Sequence, residues 1–465
     1  MKKILSKIDL SYVYSFLGEA TLGLTFLFYA FMGRVLGPEQ YGTFAAAIAL
    51  GGILSLFIQF GLPALLGREV AANPENGARL TSLFLRIECC NGLIILPFLW
   101  PITQLLGFSN EGILICYLVF LSEICRSAKL TLRNVLRGID EFSVETISVS
   151  LERLLTYGLA GSILLITENI IWVITTIIVV RLAEILILTY YINQKTPIFS
   201  EKNTGSIWKY VKTAYPFALS GVLWVLYYQV DILALQWLDT SAETGLYSAA
   251  YRIVEIFSAL PRVVFYVSFT KFARCHRTQP ERLPKEIYKT TCLLVLGVLP
   301  LIIAAGYFTE PLVTILFGSS FVGATGALSV LIPSLAIKLF GSLSRYLFEA
   351  TGQERLLPPM LLTTVVVNII ANIILIPTYG AVGAAIATFI SEVILAFIGL
   401  ILIVRIGYRD IGQQLQKIVV LSLVAASIPA FSRIGLHPSV SITLMMASLI
   451  GIAVLIRPKT FFQLK

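Results

Sequence analysis

The sequence predicts an all-α integral membrane protein with 14 transmembrane helices: two six-helix lobes related by a pseudo-two-fold axis, then two C-terminal helices. Three observations predict it. Apolar residues of the AVILMFWYC set make up 57% of the 465 residues and charged residues only 13%, and the mean hydropathy is +0.86. A soluble domain carries about 25% charged residues, so this chain has too few to cover a water-facing surface. Apolar runs of bilayer-crossing length, ~20 residues, recur from end to end. Lys and Arg are also unevenly divided between the two sides that such runs would separate. Together these exclude a secreted disulfide scaffold, a disordered tail and a nucleic-acid-binding domain.

The spans fall near 11–33, 42–66, 82–106, 112–135, 143–166, 169–193, 213–238, 245–270, 288–309, 324–348, 359–377, 380–405, 416–433 and 439–456. Lys2, Lys3 and Lys7 precede the first, but no small-residue cleavage site follows a short apolar core, so it is expected to be a permanent span. With the N-terminus in the cytoplasm, 24 of the 35 Lys and Arg lie in cytoplasmic segments, and only Arg34 and Arg433 lie on the opposite side. That asymmetry predicts cytoplasmic N- and C-termini. It also accounts for most of the net charge of +9, which suits an anionic inner leaflet and calls for no nucleic acid. The six cysteines form no C-x-x-C and sit mostly inside spans, as small buried apolar residues do.

An internal echo marks the lobes. Glu39-Gln40-Tyr41-Gly42-Thr43-Phe44-Ala45-Ala46-Ala47 joins the first two spans, and Ala242-Glu243-Thr244-Gly245-Leu246-Tyr247-Ser248-Ala249-Ala250 joins the seventh and eighth, an offset of 203. A third copy, Tyr379-Gly380-Ala381-Val382-Gly383-Ala384-Ala385, opens the twelfth. Glycine is expected to permit the tight turn and the small residues to let helix backbones approach. The predicted divisions are 1–203, 204–407 and a two-helix appendix, 408–465, with the lobes as parallel repeats able to rock about a central site.

These segments carry a resemblance. Leu36-Gly37-Pro38-Glu39-Gln40-Tyr41-Gly42, running on to Gly61-Leu62 and Arg68-Glu69, resembles the polysaccharide-transporter (Wzx-like oligosaccharide flippase) branch of the multidrug/oligosaccharidyl-lipid/polysaccharide exporter superfamily. So do Thr244-Gly245-Leu246-Tyr247-Ser248-Ala249-Ala250-Tyr251-Arg252 and Ile376-Pro377-Thr378-Tyr379-Gly380-Ala381-Val382-Gly383. The resemblance implies a flippase in a bacterial or archaeal cytoplasmic membrane. Its cargo would be undecaprenyl-diphosphate-linked oligosaccharide for O-antigen, capsule or a related polymer, moved to the outer leaflet. Its partners would be that lipid-linked glycan, membrane lipids and other polysaccharide-assembly proteins. A lipid II flippase and a multidrug exporter of the same superfamily are the alternatives.

Charges at bilayer depth are expensive and usually face a cavity or a partner. Glu123, Arg126, Lys129, Arg133 and Arg137 fall within an arc of about 120° on the fourth span at 100° per residue. Lys338, Arg345 and Glu349 share an arc of about 40° on the tenth. Both are the fourth helix of their lobe. They are expected to present a cationic lining, because Arg and Lys can replace water around phosphate oxygens; for Arg133 and Arg137 the alternative is a positive-inside anchor at the cytoplasmic end. Arg153, Arg181, Arg252 and Arg262 are further candidates. The alternative for Arg181 with Glu184, and for Arg252 with Glu255, is mutual neutralisation across i,i+3. Tyr227, Tyr228, Tyr247 and Tyr251 suit either sugar stacking or packing.

No phosphate-binding G-x-x-x-x-G-K-[ST] occurs, so an ion gradient, Na+ or H+, is the expected drive and no cofactor is expected. Asp231, Asn368, Asn372 and Thr388 offer oxygens for a hard monovalent cation, or else hydrogen bonds between helices. Glu19 in the first span is a proton-carrier candidate. Pro216, Pro261, Pro300 and Pro333 suit kinks, gating or static. An enzyme of the same pathway is disfavoured: the longest outer segment, about 309–323, holds Glu310 as its sole ionisable residue.

Overall fold

A computed structural model describes residues 10–73, 77–195, 207–433, 435 and 437–456, with side chains in the first helix described from Gly23 onward. The described residues are helical throughout apart from short connections. Nine described helices are long and apolar enough to cross a bilayer, or ten when one bent pair is taken as a single span. This is a multi-pass membrane protein, and its helices carry Leu93, Ile94, Phe98, Leu186 and Ile187 exposed on their outer faces, where lipid tails satisfy them.

The chain forms two compact units, Met1–Gly245 and Leu246–Lys465. In the first unit α1 spans Leu10–Gln59, followed by short α2 (Leu62–Ala72) and α3 (Gly77–Leu105). Then come α4 (Asn110–Gly138), α5 (Phe142–Thr167), α6 (Ile170–Lys195) and α7 (Ile207–Leu238). Leu62, Leu66, Phe84, Leu132, Leu136, Leu188, Ile192 and Ala214 gather α2, α3, α4, α6 and α7 around one apolar core. That packing is why α7 belongs to this unit and the boundary falls after it.

Helix α8 (Ser241–Phe257) straddles the boundary. The second unit continues with α9 (Ala259–Thr278), bent by 40° from α8, then α10 (Leu283–Leu293), α11 (Leu299–Tyr307) and α12 (Thr309–Phe317). Between α10 and α11, Leu294–Val298 widens into a π-helical stretch just before Pro300. That is the local answer to a residue with no N–H to give the preceding turn. The unit ends with α13 (Ala324–Ala350), α14 (Leu357–Arg405), α15 (Arg409–Arg433) and α16 (Pro438–Leu455). Pro333 is buried within α13 and Pro261 within α9; the side chain of Pro216 lies outside the described residues.

Two kinks explain why paired spans merge. Helix α1 breaks at Gly37 (φ 75°) and α14 at Gly380 (φ 51°), left-handed conformations in which glycine pays no Cβ penalty. Gly42 and Gly245 do something other than the turn expected of them. A Cβ at Gly42 would overlap the Ser241 carbonyl oxygen, and one at Gly245 would overlap the Pro38 carbonyl oxygen. The echoed glycines of α1 and α8 therefore let two backbones touch, each in the space left by the other's missing methyl.

Candidate functional site

Helix α4 begins cleanly: the Ser109 side chain accepts from the Gly112 amide at 3.1 Å and caps it. Its charged arc then faces α5 and α6. Lys129 Nζ meets Glu152 of α5 at 2.5 Å and Glu184 of α6 at 3.8 Å. Arg133 donates twice to Glu184 Oε1, at 2.9 Å from Nε and 2.5 Å from Nη2, and stands 3.6 Å from Glu152. The side chains of Lys129, Glu152 and Glu184 are less than one-tenth exposed. Ions taken this far from water stay charged only when paired and hydrogen-bonded, and interleaved opposite charges meet that condition. Lys129 and Arg133, expected to line a cavity, are turned to carboxylates between three helices.

Toward the middle of α4 the network loosens. Arg126 Nε meets Glu123 at 2.5 Å, and its Nη2 donates to Ser55 of α1 at 2.9 Å. Arg181 of α6 donates to the Ser122 carbonyl and hydroxyl, both at 2.7 Å, and to Glu123 at 3.4 Å. Arg181 thus reaches across to α4 instead of pairing with Glu184 one turn away. Four cations (Arg126, Lys129, Arg133, Arg181) share three carboxylates (Glu123, Glu152, Glu184). The side chain of Arg126 is 36% exposed, so the positive surplus has its outlet there. Arg153 is half-buried on α5. At the far end of α4, Arg137 meets Glu145 at 2.6 Å. In the α4–α5 connection Glu141 is tied to Lys195 and Tyr191 of α6; the Lys195 ammonium holds the Glu141 carboxyl below the usual carboxylate range.

The second unit holds the other candidates. Lys338 of α13 meets Glu392 of α14 at 3.1 Å, with Glu392 almost fully buried. Arg345 stands 3.6 Å from Glu349 and lies over the Tyr346 ring, 4.3 Å from its centroid. Tyr346 in turn stacks on Phe265 at 4.9 Å. Arg252 pairs with Glu255 at 2.8 Å, the local neutralisation that i,i+3 spacing allows, and Arg262 is exposed on α9. Asn372 donates to Asn368 at 3.1 Å. Thr388 is 2.9 Å from the Tyr247 hydroxyl, and Tyr247 stacks on Tyr251.

Asp231 is buried on α7 in the first unit, while Asn368, Asn372 and Thr388 belong to the second. Tyr227 and Tyr228 cluster with Trp224, their ring centroids 4.9–5.9 Å apart. The Glu19 side chain lies outside the described residues. Sequence reasoning missed Glu152 as a partner altogether and Glu184 as anything but local, and it passed over Glu88. The available signal was simply a glutamate inside an apolar span.

A sequence profile described as polysaccharide biosynthesis protein matches residues 11–272. The chain is 27% identical over 376 residues to the probable low-salt glycan biosynthesis flippase Agl15 of Haloferax volcanii, covering 79% of this chain and 77% of that protein. It is 20% identical over 386 residues to the putative O-antigen transporter of Shigella flexneri, covering 78% and 90%. In fold it is similar to the lipid II flippase MurJ in an inward closed conformation, with a TM-score of 0.71, 14% identity and coverage of 97% and 99%.

Proposed function

We take as premise that the chain belongs to the polysaccharide biosynthesis protein family, within the polysaccharide-transporter branch of the multidrug/oligosaccharidyl-lipid/polysaccharide exporter superfamily, and propose that it is a flippase for lipid-linked oligosaccharide. It is a transporter, not an enzyme, in the company of relatives named for flipping and transport. The cargo in this reading is undecaprenyl-diphosphate-linked oligosaccharide, carried from the cytoplasmic to the outer leaflet with both termini of the protein cytoplasmic.

One observation carries the reading of the cargo: the α4–α6 network has a cation more than it has carboxylates, and it opens at the partly exposed Arg126. A diphosphate needs fork-shaped donors in place of water. Arg126 and Arg181 offer them, with Glu123 as the resident anion that the phosphate displaces. Arg345, propped on Tyr346, is the corresponding group of the second unit. Coupling by Na+ or H+ through Asp231, Asn368, Asn372 and Thr388 completes the proposal.

The test is deletion of the gene followed by a leaflet assay. The lipid-linked glycan should accumulate where an externally added, membrane-impermeant oxidant of sugars cannot reach it, and the wild-type gene should reverse this. A glycan that reaches the outer leaflet unpolymerised in the deletion strain would overturn the proposal in favour of a polymerising enzyme.

A further inference from the structure

Glu88 of α3 takes no part in the ion network. It is 2% exposed. Its Oε1 accepts from the Thr131 hydroxyl of α4 at 2.7 Å, while its Oε2 is buried with no hydrogen-bond partner. The Ser127 hydroxyl, one turn back on α4, stands beside the same carboxyl and is fully buried with it. The described residues bring no cation to this carboxyl. Lys129 is two residues from both Ser127 and Thr131, about 160° around the helix, where it is occupied by Glu152 and Glu184; Arg133 and Glu123 belong to the same network. The part of α1 that packs on α3, residues 42–59, contains no titratable side chain. Arg68 and Glu69 of α2 face each other at 3.4 Å, and Arg86, Cys89 and Cys90 on α3 itself are exposed. Neighbouring Asn91 is spent on the Phe57 and Ile58 carbonyls.

An ionised carboxylate here would sit in an apolar interior with only the Thr131 and Ser127 hydroxyls beside it and no cation among the described residues to balance its charge. A proton on Oε2 forms one O–H bond and removes the charge. We propose that Glu88 is a proton-binding site, a carboxyl that takes a proton from water on one side of the membrane and returns it to water during the working cycle. Its role in driving cargo rests on the flippase reading; its proton binding does not.

The experiment is infrared difference spectroscopy of the full chain in lipid bilayers, titrated with pH. Wild type should show the carbonyl stretch of a protonated carboxyl that fades as pH rises. Glu88→Gln should lose that band, and Asp231→Asn should keep it. Identical spectra for wild type and Glu88→Gln would overturn the proposal, as would a band that follows Na+ and ignores pH. Should Glu88→Gln fail to accumulate, Thr131→Val serves instead. Loss of the Oε1 donor must move the midpoint of the band, and an unmoved midpoint refutes the assignment. A band that behaves as described in a protein whose deletion leaves glycan export untouched would sink the flippase reading and leave the proton site standing.

Discussion

Removing one charge from the buried α4–α6 network should have opposite consequences depending on its sign. Lys129→Met leaves Arg126, Arg133 and Arg181 facing Glu123, Glu152 and Glu184, a balanced set, and Glu152 keeps Arg133 at 3.6 Å and Arg181 at 3.9 Å. Glu152→Leu leaves four cations to two carboxylates, and Lys129 retains only Glu184 at 3.8 Å. Stranding a buried charge costs about 3–5 kcal/mol. Glu152→Leu should reach that range, whereas Lys129→Met, with its partner still held, should cost about 2 kcal/mol. The double variant removes both ions together and should cost no more than Lys129→Met alone, a coupling of about 3–5 kcal/mol that double-mutant cycles resolve well. The assay is reversible unfolding in mixed micelles, followed by tryptophan fluorescence. Additive losses, or a Lys129→Met cost equal to that of Glu152→Leu, would refute the shared-carboxylate arrangement.

Other perturbations test other parts of the molecule. Arg126→Ala and Arg345→Ala should each lower glycan export about tenfold or more, because a charge-assisted hydrogen bond is worth about 1.5–3 kcal/mol, while protein abundance in the membrane stays normal; equal transport by both variants would remove the phosphate-escort idea. Gly42→Ala forces a methyl into the Ser241 carbonyl and should lower stability by about 1–3 kcal/mol, as overpacking does; an unchanged unfolding midpoint would deny the close approach. The Glu141 clip follows acid. A carboxyl held below its usual range by Lys195 stabilises the fold above that range and loses its effect as pH falls through the lowered value. Amide protection in the α4–α5 connection, corrected for the intrinsic pH dependence of exchange, should therefore be flat across neutral pH and fall only below the ordinary carboxylate range, and Glu141→Gln should abolish that fall.

The architecture was legible because lipid imposes length. Runs of apolar residues announce a span without needing a period; nine described helices, or ten with the bent α8–α9 pair, have that length and composition, while the stretches read as 42–66 and 288–309 are interrupted, at Phe60–Gly61 and at the π-helical Leu294–Val298. The charged arc of α4 was legible for the same local reason, since 100° per residue fixes which side chains of one helix share a face. Partners on other helices were not. Glu152 and Glu184 stand in plain view, but the register between α4, α5 and α6 lies outside any one helix's sequence, so spacing offers Arg181 only Glu184 as a local partner, whereas the side chain reaches Glu123 and Ser122. Arg252 with Glu255 came out as spacing suggests because that pair needs no second helix. That α7 packs with the first unit, through Ala214 against the core of α2, α3, α4 and α6, is likewise a matter of contacts between helices.

The meeting of Gly42 with Gly245 has a consequence of a different kind from that of the charged helices. Main chain lies on main chain there, and neither glycine brings a side chain to the junction. A methyl at either position would meet a carbonyl oxygen, so the seam holds its two helices at a spacing that only glycine allows. Substitution at this clasp is felt as displaced main chain, whereas substitution in the α4 network is felt as unbalanced charge.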